Sequence, residues 1–499
     1  MTPSSRQIAI YNHWETTDDN VLVEAVAGSG KTTTLIEILK LCEYRTLFVA
    51  FNKSIQTEIQ GIIDNLQLKQ GKALTMHSLG LSAIRNVSKY RINKNKNYDI
   101  TKKIQDEYND IYRRFTWEDK VKVSYTLMDL IDTTKLFLSD SLEECISHMV
   151  DMDKNFYDQS IIDIEGRETS FIAHVWQRLL DIRDDYYNQS VIEIDFNDMI
   201  YVPIVKNLFI PVSPYYLMID EAQDLNLAQH KLIDMLIGQG DVHKFIAVGD
   251  RNQSIYGFSG AYASSFDLFK DIPNTIEFPL DICYRCPTLV IEEANKVYNV
   301  MKGNKTYPGT VEQCNDIAEI EDESMIICRN SAPLFDVYFG LLGMSKKVVI
   351  KGEDILGGIM GFLKPLQYKT VSQARIKIER SIAQLANKLD DDKTRFKHYK
   401  LKQNLDLFNT LVKNMCLEST KVADLLAEIT KIFSNDDEGA IVLCTIHKSK
   451  GLQADVVYIL NEFLIPSRFA KSEIQMKQEM NLKYVARTRA KEKLFYLTI

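Results

Sequence analysis

A glycine-containing loop near the N-terminus has the residue types of a phosphate-binding site. Residues 25–32 read AVAGSGKT, follow an apolar run at 21–25 and open a segment with helical spacing. Glycines allow backbone N–H groups to approach phosphates, and a helix N-terminus favours their negative charge. We predict that Lys31 neutralises the phosphates of a nucleotide and that the Thr32 hydroxyl binds Mg²⁺. The strict motif has glycine where this chain has Ala25, and the alternative is a turn that binds nothing.

Two adjacent acids, Asp220 and Glu221, follow a second apolar run at 216–219. An acid at the carboxyl end of a buried strand lies at the sheet edge where nucleotides bind. We predict that Asp220 binds Mg²⁺, directly or through water, and that Glu221 orients and deprotonates an attacking water. The alternative is that both acids only cap the strand end.

Further short apolar runs predict the scaffold that positions these groups. They recur at 46–50, 245–248, 325–328, 441–445, 456–460 and 494–497. Strands that alternate with helical segments indicate parallel sheets covered on both faces. Residues 81–195 and 353–436 break this rhythm with charged, helical patterns. The fold class is therefore α/β, with two sheet domains that are each interrupted by a helical insertion.

Length and composition set broad limits on the class of protein. Because single cores stop growing beyond about 250–300 residues, a chain of 499 residues predicts two to four domains. The net charge of −8 counts mildly against a nucleic-acid partner, although binding depends on the local field of a groove. No apolar run approaches the ~20 residues of a membrane span, and the N-terminus lacks the layout of a signal peptide. We expect no membrane and a cytoplasmic location, in the host cytoplasm if the protein is viral.

The eight cysteines argue against a disulfide framework because they are scattered through a long chain. Cys283 and Cys286 have CxxC spacing. No second such pair and no nearby histidine pair completes a zinc site. We do not predict a metal or redox role for them.

Five strings in order give the chain a specific resemblance. They are DEAQD at 220–224, GDRNQSIYGFSGA at 249–261, CYRCP at 283–287, TIHKSKGLQ at 445–453 and YVARTRA at 484–490. Together with the phosphate-binding loop they resemble the superfamily 1A helicases of the UvrD/Rep/PcrA type, from Gln7 to Ala490. The helical insertions match that family only in position and size.

The resemblance implies two RecA-like P-loop domains and their bounds. The first comprises 1–80 and 196–276, with a helical insertion at 81–195. The second comprises 277–352 and 437–499, with a reduced helical insertion at 353–436.

The resemblance also implies ATP and Mg²⁺ and a role for each site residue. Gln7 would read the adenine, Tyr284 would stack on it, and Gln453, where the family usually has Glu, would face the ribose. Gln253 and Arg285 would reach the γ-phosphate, with Arg489 as the arginine finger. The implied nucleotide site comprises Gln7, Ala27, Gly28, Ser29, Gly30, Lys31, Thr32, Thr33, Tyr284, Arg285, Gln453 and Arg489. The implied catalytic set is Lys31, Asp220, Glu221, Gln253, Arg285 and Arg489.

A second set would contact single-stranded DNA through stacking and backbone contacts. It comprises Phe51, Asn52, Lys53, Thr75, His77, Tyr256, Phe258, Thr445 and His447. Many relatives have Arg where this chain has Ser259, so this chain has one fewer positive charge near the DNA strand. Basic residues alternate with tyrosines early in the first insertion. This pattern predicts either a DNA-binding groove or a solvated face, and its basic residues include Lys89, Arg91 and Lys96.

The implied activity is an ATP-driven single-stranded DNA translocase and 3′→5′ DNA helicase that steps by closure of its two domains. Polarity rests on the resemblance alone. Expected partners are single-stranded DNA, single-strand/duplex junctions and replication or repair proteins, and we expect a monomer. The alternatives are a DNA-stimulated ATPase with weak unwinding, an ATP-switched scaffold or loading factor, and an RNA-directed motor.

Overall fold

The computed structural model describes residues 3–154, 156–162, 168–262, 264–386, 392–415, 419–432 and 437–499. The chain divides into two compact units. Unit 1 comprises Met1–Val26 and Gly30–Asp281, and unit 2 comprises Ala27–Ser29 and Ile282–Ile499.

A parallel sheet organises unit 1. The strands of unit 1 are β1 (Asn20–Ala25), β2 (Thr46–Ala50), β3 (Gly71–Thr75), β4 (Lys89–Ile92), β5 (Ser160–Ile162), β6 (Glu168–Ser170), β7 (Val191–Ile194), β8 (Tyr216–Ile219), β9 (Lys244–Gly249) and β10 (Thr275–Leu280). Six of them form the sheet in the order β10-β1-β9-β8-β2-β3, and every neighbouring pair is parallel. Because these six strands run the same way, the segments that follow β1, β2, β3, β8 and β9 emerge at one edge. That edge carries most of the unit 1 residues that the sequence singles out.

Helices cover the sheet of unit 1 and form a separate helical core. They are α1 (Ser5–Thr16), α2 (Lys31–Leu41), α3 (Lys53–Asn65), α4 (Met76–Val87), α5 (Lys96–Glu107), α6 (Asn109–Tyr112), α7 (Trp117–Phe137), α8 (Leu142–Asp151), α9 (Phe171–Asp185), α10 (Asp198–Val205), α11 (Leu227–Gly238) and α12 (Ser265–Leu268). Leu35, Ile38 and Leu39 of α2 are fully buried against β1 and β2, as their helical spacing predicts. The helical core joins α5, α7 and α9 through residues such as Ile104, Leu130 and Phe171.

A second parallel sheet organises unit 2. The strands of unit 2 are β11 (Ile282–Cys283), β12 (Lys302–Gly303), β13 (Thr310–Cys314), β14 (Met325–Cys328), β15 (Val348–Lys351), β16 (Ile441–Thr445), β17 (Ala454–Leu460) and β18 (Ala490–Leu497). Six of them form the sheet in the order β13-β18-β17-β14-β16-β15. Its helices are α13 (Thr288–Asn295), α14 (Ala332–Gly343), α15 (Glu353–Leu363), α16 (Val371–Ala386), α17 (Asp392–Met415), α18 (Val422–Ile432), α19 (Ile446–Ser449) and α20 (Glu473–Arg487). Phe408 and Leu411 of α17 share one core with Ile326 of β14 and Phe335 of α14.

The predicted fold class, α/β with two parallel sheets of the RecA-like kind, is confirmed. The domain bounds inferred from the sequence stay a prediction. No helix within the described ranges is long and apolar enough to cross a membrane.

The basic segment of the first insertion needs one correction. The sequence pattern groups Lys96 with the basic residues that would line a DNA-binding groove or form a solvated face. Its side chain is, however, fully buried. Its ammonium lies 2.7 Å from a carboxylate oxygen of Asp198. Lys96 therefore belongs to an internal ion pair, whereas Lys89 and Arg91 are exposed.

Candidate active site

The glycine-containing loop joins β1 to α2, as predicted. Gly30 caps the helix with φ +85°, and Gly28 has φ +70°, conformations that favour glycine. Around Gly28 the backbone is also crowded, since an added Cβ would lie 2.6 Å from Cβ of Arg285. Because α2 starts at Lys31 with no side-chain cap, its first N–H groups suit an anionic ligand.

Two polar pairs join this loop to the end of β8. The ammonium of Lys31 lies 3.1 Å from Oε2 of Glu221, and the hydroxyl of Thr32 donates to Oδ2 of Asp220 at 3.4 Å. Burial disfavours the charge of Lys31, but Glu221, Asp250 and Asp220 outweigh it and raise the pKa of Lys31. The structure thus brings four of the residues predicted for hydrolysis and metal binding to one place.

The carboxylates around Lys31 carry more negative charge than the lysine offsets. Burial, and then the charge of Glu221, raise the pKa of Asp220 to about 7. Burial also raises the pKa of Asp250 to about 6. A divalent cation would relieve this repulsion, and Thr32 and Asp220 supply the oxygen ligands that Mg²⁺ prefers. These residues fit the predicted metal.

Glu221 has an unusual backbone conformation for a non-glycine residue. Its φ of +51° and ψ of +43° lie in the left-handed region, which costs about 1–3 kcal/mol at such positions. The N–H of Glu221 donates to Oδ1 of Asp220 at 2.9 Å. Such conformations persist only where surrounding contacts enforce them, and residues that adopt them cluster at functional sites.

The segment after β9 lies beside these acids. Gln253 is almost fully buried, and its amide donates to Oδ2 of Asp250 at 2.7 Å. Tyr256 follows three residues later and is half-buried. Phe258 lies in the short turn Gly257–Ser259, and its side chain is outside the described residues.

Gln7 lies close to the phosphate-binding loop. Its amide nitrogen donates to the hydroxyl of Thr34 at 3.1 Å, and its amide oxygen accepts from the N–H of Ser4 at 3.0 Å. The second bond is half of a capping box that starts α1. Gln7 therefore has a structural role here beside the predicted adenine-reading role. Ser29 is buried, and Thr33 follows Thr32 in the first turn of α2.

Within unit 2, backbone and tyrosine contacts hold Ala27 and Gly28. The carbonyl of Gly28 accepts from the N–H of Tyr284 at 2.9 Å, and the N–H of Ala27 donates to the hydroxyl of Tyr484 at 3.2 Å. The loop residue Gly28 and the predicted adenine-stacking residue Tyr284 are thus neighbours.

The two predicted arginines converge on Thr488. Arg285 donates from Nη1 to the carbonyl of Thr488 at 3.0 Å, and Arg489 donates from Nη2 to its hydroxyl at 3.1 Å. Arg489 is 1% exposed and also donates to the carbonyls of Val485 and Leu452. Both arginines are therefore oriented by backbone contacts within unit 2.

The remaining predicted residues of unit 2 lie at the end of β16, within α19 and directly before β17. Thr445 caps α19 through the N–H of Lys448. Burial, and then the charge of Arg329, lower the pKa of His447 to about 3, so its ring is uncharged at neutral pH. Gln453 is exposed.

A cavity of about 510 Å³ in unit 1 is lined by six of the nine residues predicted to contact DNA, and also by Ser259 and Phe196. Two stacked ring pairs lie in its wall. Phe51 and Tyr256 have ring centroids 5.6 Å apart and planes at 15°, and His77 and Phe196 have centroids 3.7 Å apart and planes at 22°. Burial lowers the pKa of His77 to about 4, so its ring is uncharged at neutral pH. The members of the predicted DNA set in this wall are Phe51, Asn52, Lys53, Thr75, His77 and Tyr256.

Phe196 was missed by sequence reasoning. It is 62% exposed although phenylalanine is usually buried. Asp195 and Asp198 on either side of it are buried and paired with Lys135, and Asp198 also with Lys96. This internal network fixes the turn and leaves the Phe196 ring at the cavity. The available signal was an aromatic between two acids at the return from the helical insertion.

The comparisons with known proteins agree with the sequence motifs. The family model described as "UvrD/REP helicase N-terminal domain" matches residues 6–273, more than half of the chain. The chain is 28% identical over 306 residues to "ATP-dependent DNA helicase Rep" of Buchnera aphidicola subsp. Schizaphis graminum, covering 55% of this chain and 41% of that protein. It is 21% identical over 624 residues to "ATP-dependent DNA helicase PcrA" of Staphylococcus epidermidis, covering 97% of this chain and 82% of that protein.

A third relative is "F-box DNA helicase 1" of Gallus gallus, 25% identical over 514 residues, with 97% of this chain and 48% of that protein covered. The chain thus spans less than half the length of the Rep and F-box relatives. Among solved structures, "Crystal structure of Arterivirus nonstructural protein 10 (helicase)" matches with a TM-score of 0.35, 11% identity and coverage of 96% of this chain and 59% of that chain. A TM-score this low carries no argument about function.

Proposed function

Because the chain belongs to the UvrD/REP helicase family, we propose that it hydrolyses ATP to move along single-stranded DNA. We further propose that it moves 3′→5′ and separates duplex strands ahead of it. One observation carries the proposal. The aromatic cavity and the Lys31–Glu221 pair lie at the same edge of one parallel sheet, and the segment after β9 reaches both.

The nucleotide half of the proposal assigns each polar side chain a task. Lys31 and the N–H groups at the start of α2 bind the phosphates of ATP. Glu221 orients the attacking water and accepts its proton. Gln253, whose amide bonds Asp250, contacts the γ-phosphate. Thr32 and Asp220 would hold Mg²⁺, which when bound neutralises charge on the phosphates.

The DNA half rests on the character of the cavity wall. Stacked, uncharged rings bind any base through its face, and each base–aromatic stack contributes about 1–3 kcal/mol without selecting sequence. Lys53 and Asn52, which also line the cavity, would contact the DNA backbone. A wall of this kind suits a protein that moves along a strand of any sequence.

In unit 2 we propose that Arg285 and Arg489 contact the γ-phosphate of ATP during its transfer to water. An arginine finger contributes about 10³–10⁵ to turnover. If both arginines engage ATP only when the two RecA-like domains close, hydrolysis releases that closure and drives a step. We also propose that the nucleotide is contacted by Tyr284 and Gln453. Single-stranded DNA would be contacted by Thr445 and His447.

Strand displacement tests the proposal. Duplexes with a single-stranded 3′ tail, a 5′ tail or no tail are incubated with ATP and Mg²⁺. The proposal expects displacement from the 3′-tailed duplex, and Glu221→Gln should abolish it. Displacement only from the 5′-tailed duplex would overturn the polarity. ATP hydrolysis on single-stranded DNA without displacement from either duplex would favour a translocase that does not unwind.

A further inference from the structure

Gln223 is a buried side chain to which neither the sequence motifs nor the proposed mechanism gives a task. It lies in the turn Ala222–Asp224 after β8 and is 2% exposed. A glutamine amide offers two donors and one acceptor oxygen, and each must find a partner when it is buried. The partners of Gln223 come from both functional regions of unit 1.

The donors of this amide face two carboxylates. Nε2 donates to Oε2 of Glu221 at 2.6 Å and to Oδ2 of Asp224 at 3.3 Å. Glu221 is the proposed base, and Asp224 lines the aromatic cavity. The amide therefore ties the hydrolytic carboxylate to a residue in the cavity wall.

The acceptor of the same amide holds the segment after β9. Oε1 accepts from the N–H of Asp250 at 2.9 Å, and the backbone carbonyl of Gln223 accepts from the hydroxyl of Ser254 at 3.2 Å. The reverse orientation of the amide would face its oxygen toward two carboxylates, so the bonding pattern fixes which end is which. Two bonds from one residue thus clamp the start of a segment that leads to Tyr256.

The surroundings leave the amide little freedom. A Cβ on Gly249 would lie 2.5 Å from Oε1 of Gln223. Glu221 has the left-handed backbone conformation described above, which persists only where neighbouring contacts enforce it. A shift of the segment after β9 therefore acts on the Glu221 carboxylate through one rigid side chain.

We propose that Gln223 is a positioning residue that couples occupancy of the DNA cavity to the placement of Glu221. When DNA engages Tyr256, the segment that starts at Asp250 moves, and the Gln223 amide transmits that movement to Oε2 of Glu221. This inference rests on the proposed function, because it assigns a route for the stimulation of hydrolysis by DNA.

Two variants separate this role from simple support of the fold. Gln223→Met keeps length and apolar volume but removes the donors and the acceptor. Gln223→Glu keeps an acceptor for the Asp250 N–H but replaces the donor to Glu221 with a second carboxylate. Gln239→Met is the matched control, since Gln239 is a half-buried glutamine whose amide bonds both polar backbone groups of Ile210, outside the cavity.

The experiment measures kcat and KM for ATP, without nucleic acid and with oligo(dT), alongside oligo(dT) binding and thermal unfolding. Both Gln223 variants should lose about tenfold or more of the DNA-stimulated kcat, because a bond to a charged group is lost. Their ratio of stimulated to basal kcat should fall toward one, while KM for ATP and oligo(dT) affinity stay near wild type. Gln239→Met should keep the wild-type ratio.

The outcomes that contradict the inference differ from those that contradict the proposed function. If wild-type hydrolysis is not stimulated by oligo(dT), the proposed function fails first. If wild type is stimulated and Gln223→Glu keeps the wild-type ratio, Gln223 only supports the Asp250 backbone and the inference is wrong. An equal fall of basal and stimulated kcat would also overturn it. If Gln223→Met unfolds at a much lower temperature than wild type, the ratio of stimulated to basal kcat in Gln223→Glu alone tests the inference.

Discussion

Lys31 and Glu221 form an ion pair, with 3.1 Å from Nζ to Oε2, that joins the loop after β1 to the end of β8. The lysine binds phosphate and the glutamate activates water in our proposal, so the pair holds both groups at the place where they act. Electrostatic groups that are already positioned need no reorganisation during the reaction.

Glu221→Gln should remove hydrolysis while leaving ATP binding intact. The amide keeps the size of the side chain and can still contact Lys31 and Gln223, but it cannot accept a proton. We expect kcat to fall by about 10²–10⁴, the contribution of a general base. Steady-state hydrolysis and equilibrium binding of ATP measure the two effects. Glu37→Gln, at a half-buried position on α2 that pairs with Lys40, is the control. A loss of ATP affinity in Glu221→Gln as large as its loss of kcat would contradict the assigned role.

Asp220→Asn should change the requirement for Mg²⁺. The wild-type carboxylate is buried beside Glu221 and accepts from the Thr32 hydroxyl, and a cation held by Asp220 and Thr32 would relieve the repulsion between the two carboxylates. We expect chelation by EDTA to stop hydrolysis in wild type, and the variant to need more Mg²⁺ for half-maximal rate. Titration of Mg²⁺ at fixed ATP measures this requirement. Asp241→Asn, at an exposed acid, should leave it unchanged, and an unshifted titration in Asp220→Asn would remove it from the metal site.

Phe196→Ala should weaken binding of single-stranded DNA without unfolding the protein. Its ring is exposed and stacks on His77 in the cavity wall. Loss of one base–aromatic stack of about 1–3 kcal/mol predicts about 5- to 150-fold weaker binding. Fluorescence anisotropy with labelled oligo(dT) measures it. Phe209→Ala is the control because Phe209 is 54% exposed and does not line the cavity. Equal affinities for the two variants would exclude Phe196 as a contact.

Stability should fall in mild acid through His230. Burial lowers the pKa of this histidine to about 4, against about 6.5 in an unfolded chain. The hydroxyl of Ser265 donates its proton to the carbonyl of Ala222, so Nε2 of His230 carries a hydrogen and donates to that hydroxyl. The lowered pKa leaves the ring neutral at neutral pH. Between about pH 6.5 and pH 4 the unfolded chain binds a proton that the folded protein does not, and folding loses up to about 3 kcal/mol.

Denaturant unfolding across this range checks that expectation. His230→Gln removes the titrating ring, so its free energy of unfolding should fall less steeply from pH 6.5 to pH 4 than that of wild type. His174→Gln is the control variant, with a half-buried ring that packs on Tyr108. A wild-type slope in His230→Gln would show that the ring is protonated in the folded state.

The central strands could be predicted because they are short apolar runs buried on both faces. The runs at 46–50, 216–219, 325–328 and 441–445 coincide with β2, β8, β14 and β16. Strand β10 at the sheet edge was missed because only Leu280 of its residues is buried and because it contains Pro279. Strand β3 was missed because Gly71 and Lys72 interrupt its apolar pattern.

The candidate site could be predicted only where spacing along the chain encodes it. The lysine and threonine of the phosphate loop and the acids after β8 follow from local strings, and they meet because parallel strands end at one edge. Phe196 and Gln223 could not be assigned from the chain alone. The exposure of Phe196 depends on ion pairs with lysines of α5 and α7. The hydrogen bonds of Gln223 depend on the backbone after β9.

The measurement that tests the central claim most directly is ATP hydrolysis without nucleic acid, with single-stranded DNA and with single-stranded RNA. Lys31→Ala removes the phosphate-binding ammonium, and Lys40→Ala, at an exposed position on the same helix, is its control. We predict low basal turnover, strong stimulation by DNA, and loss of both in Lys31→Ala but not in Lys40→Ala. Turnover that ignores DNA yet disappears in Lys31→Ala would contradict the proposed motor and leave an ATPase of another kind.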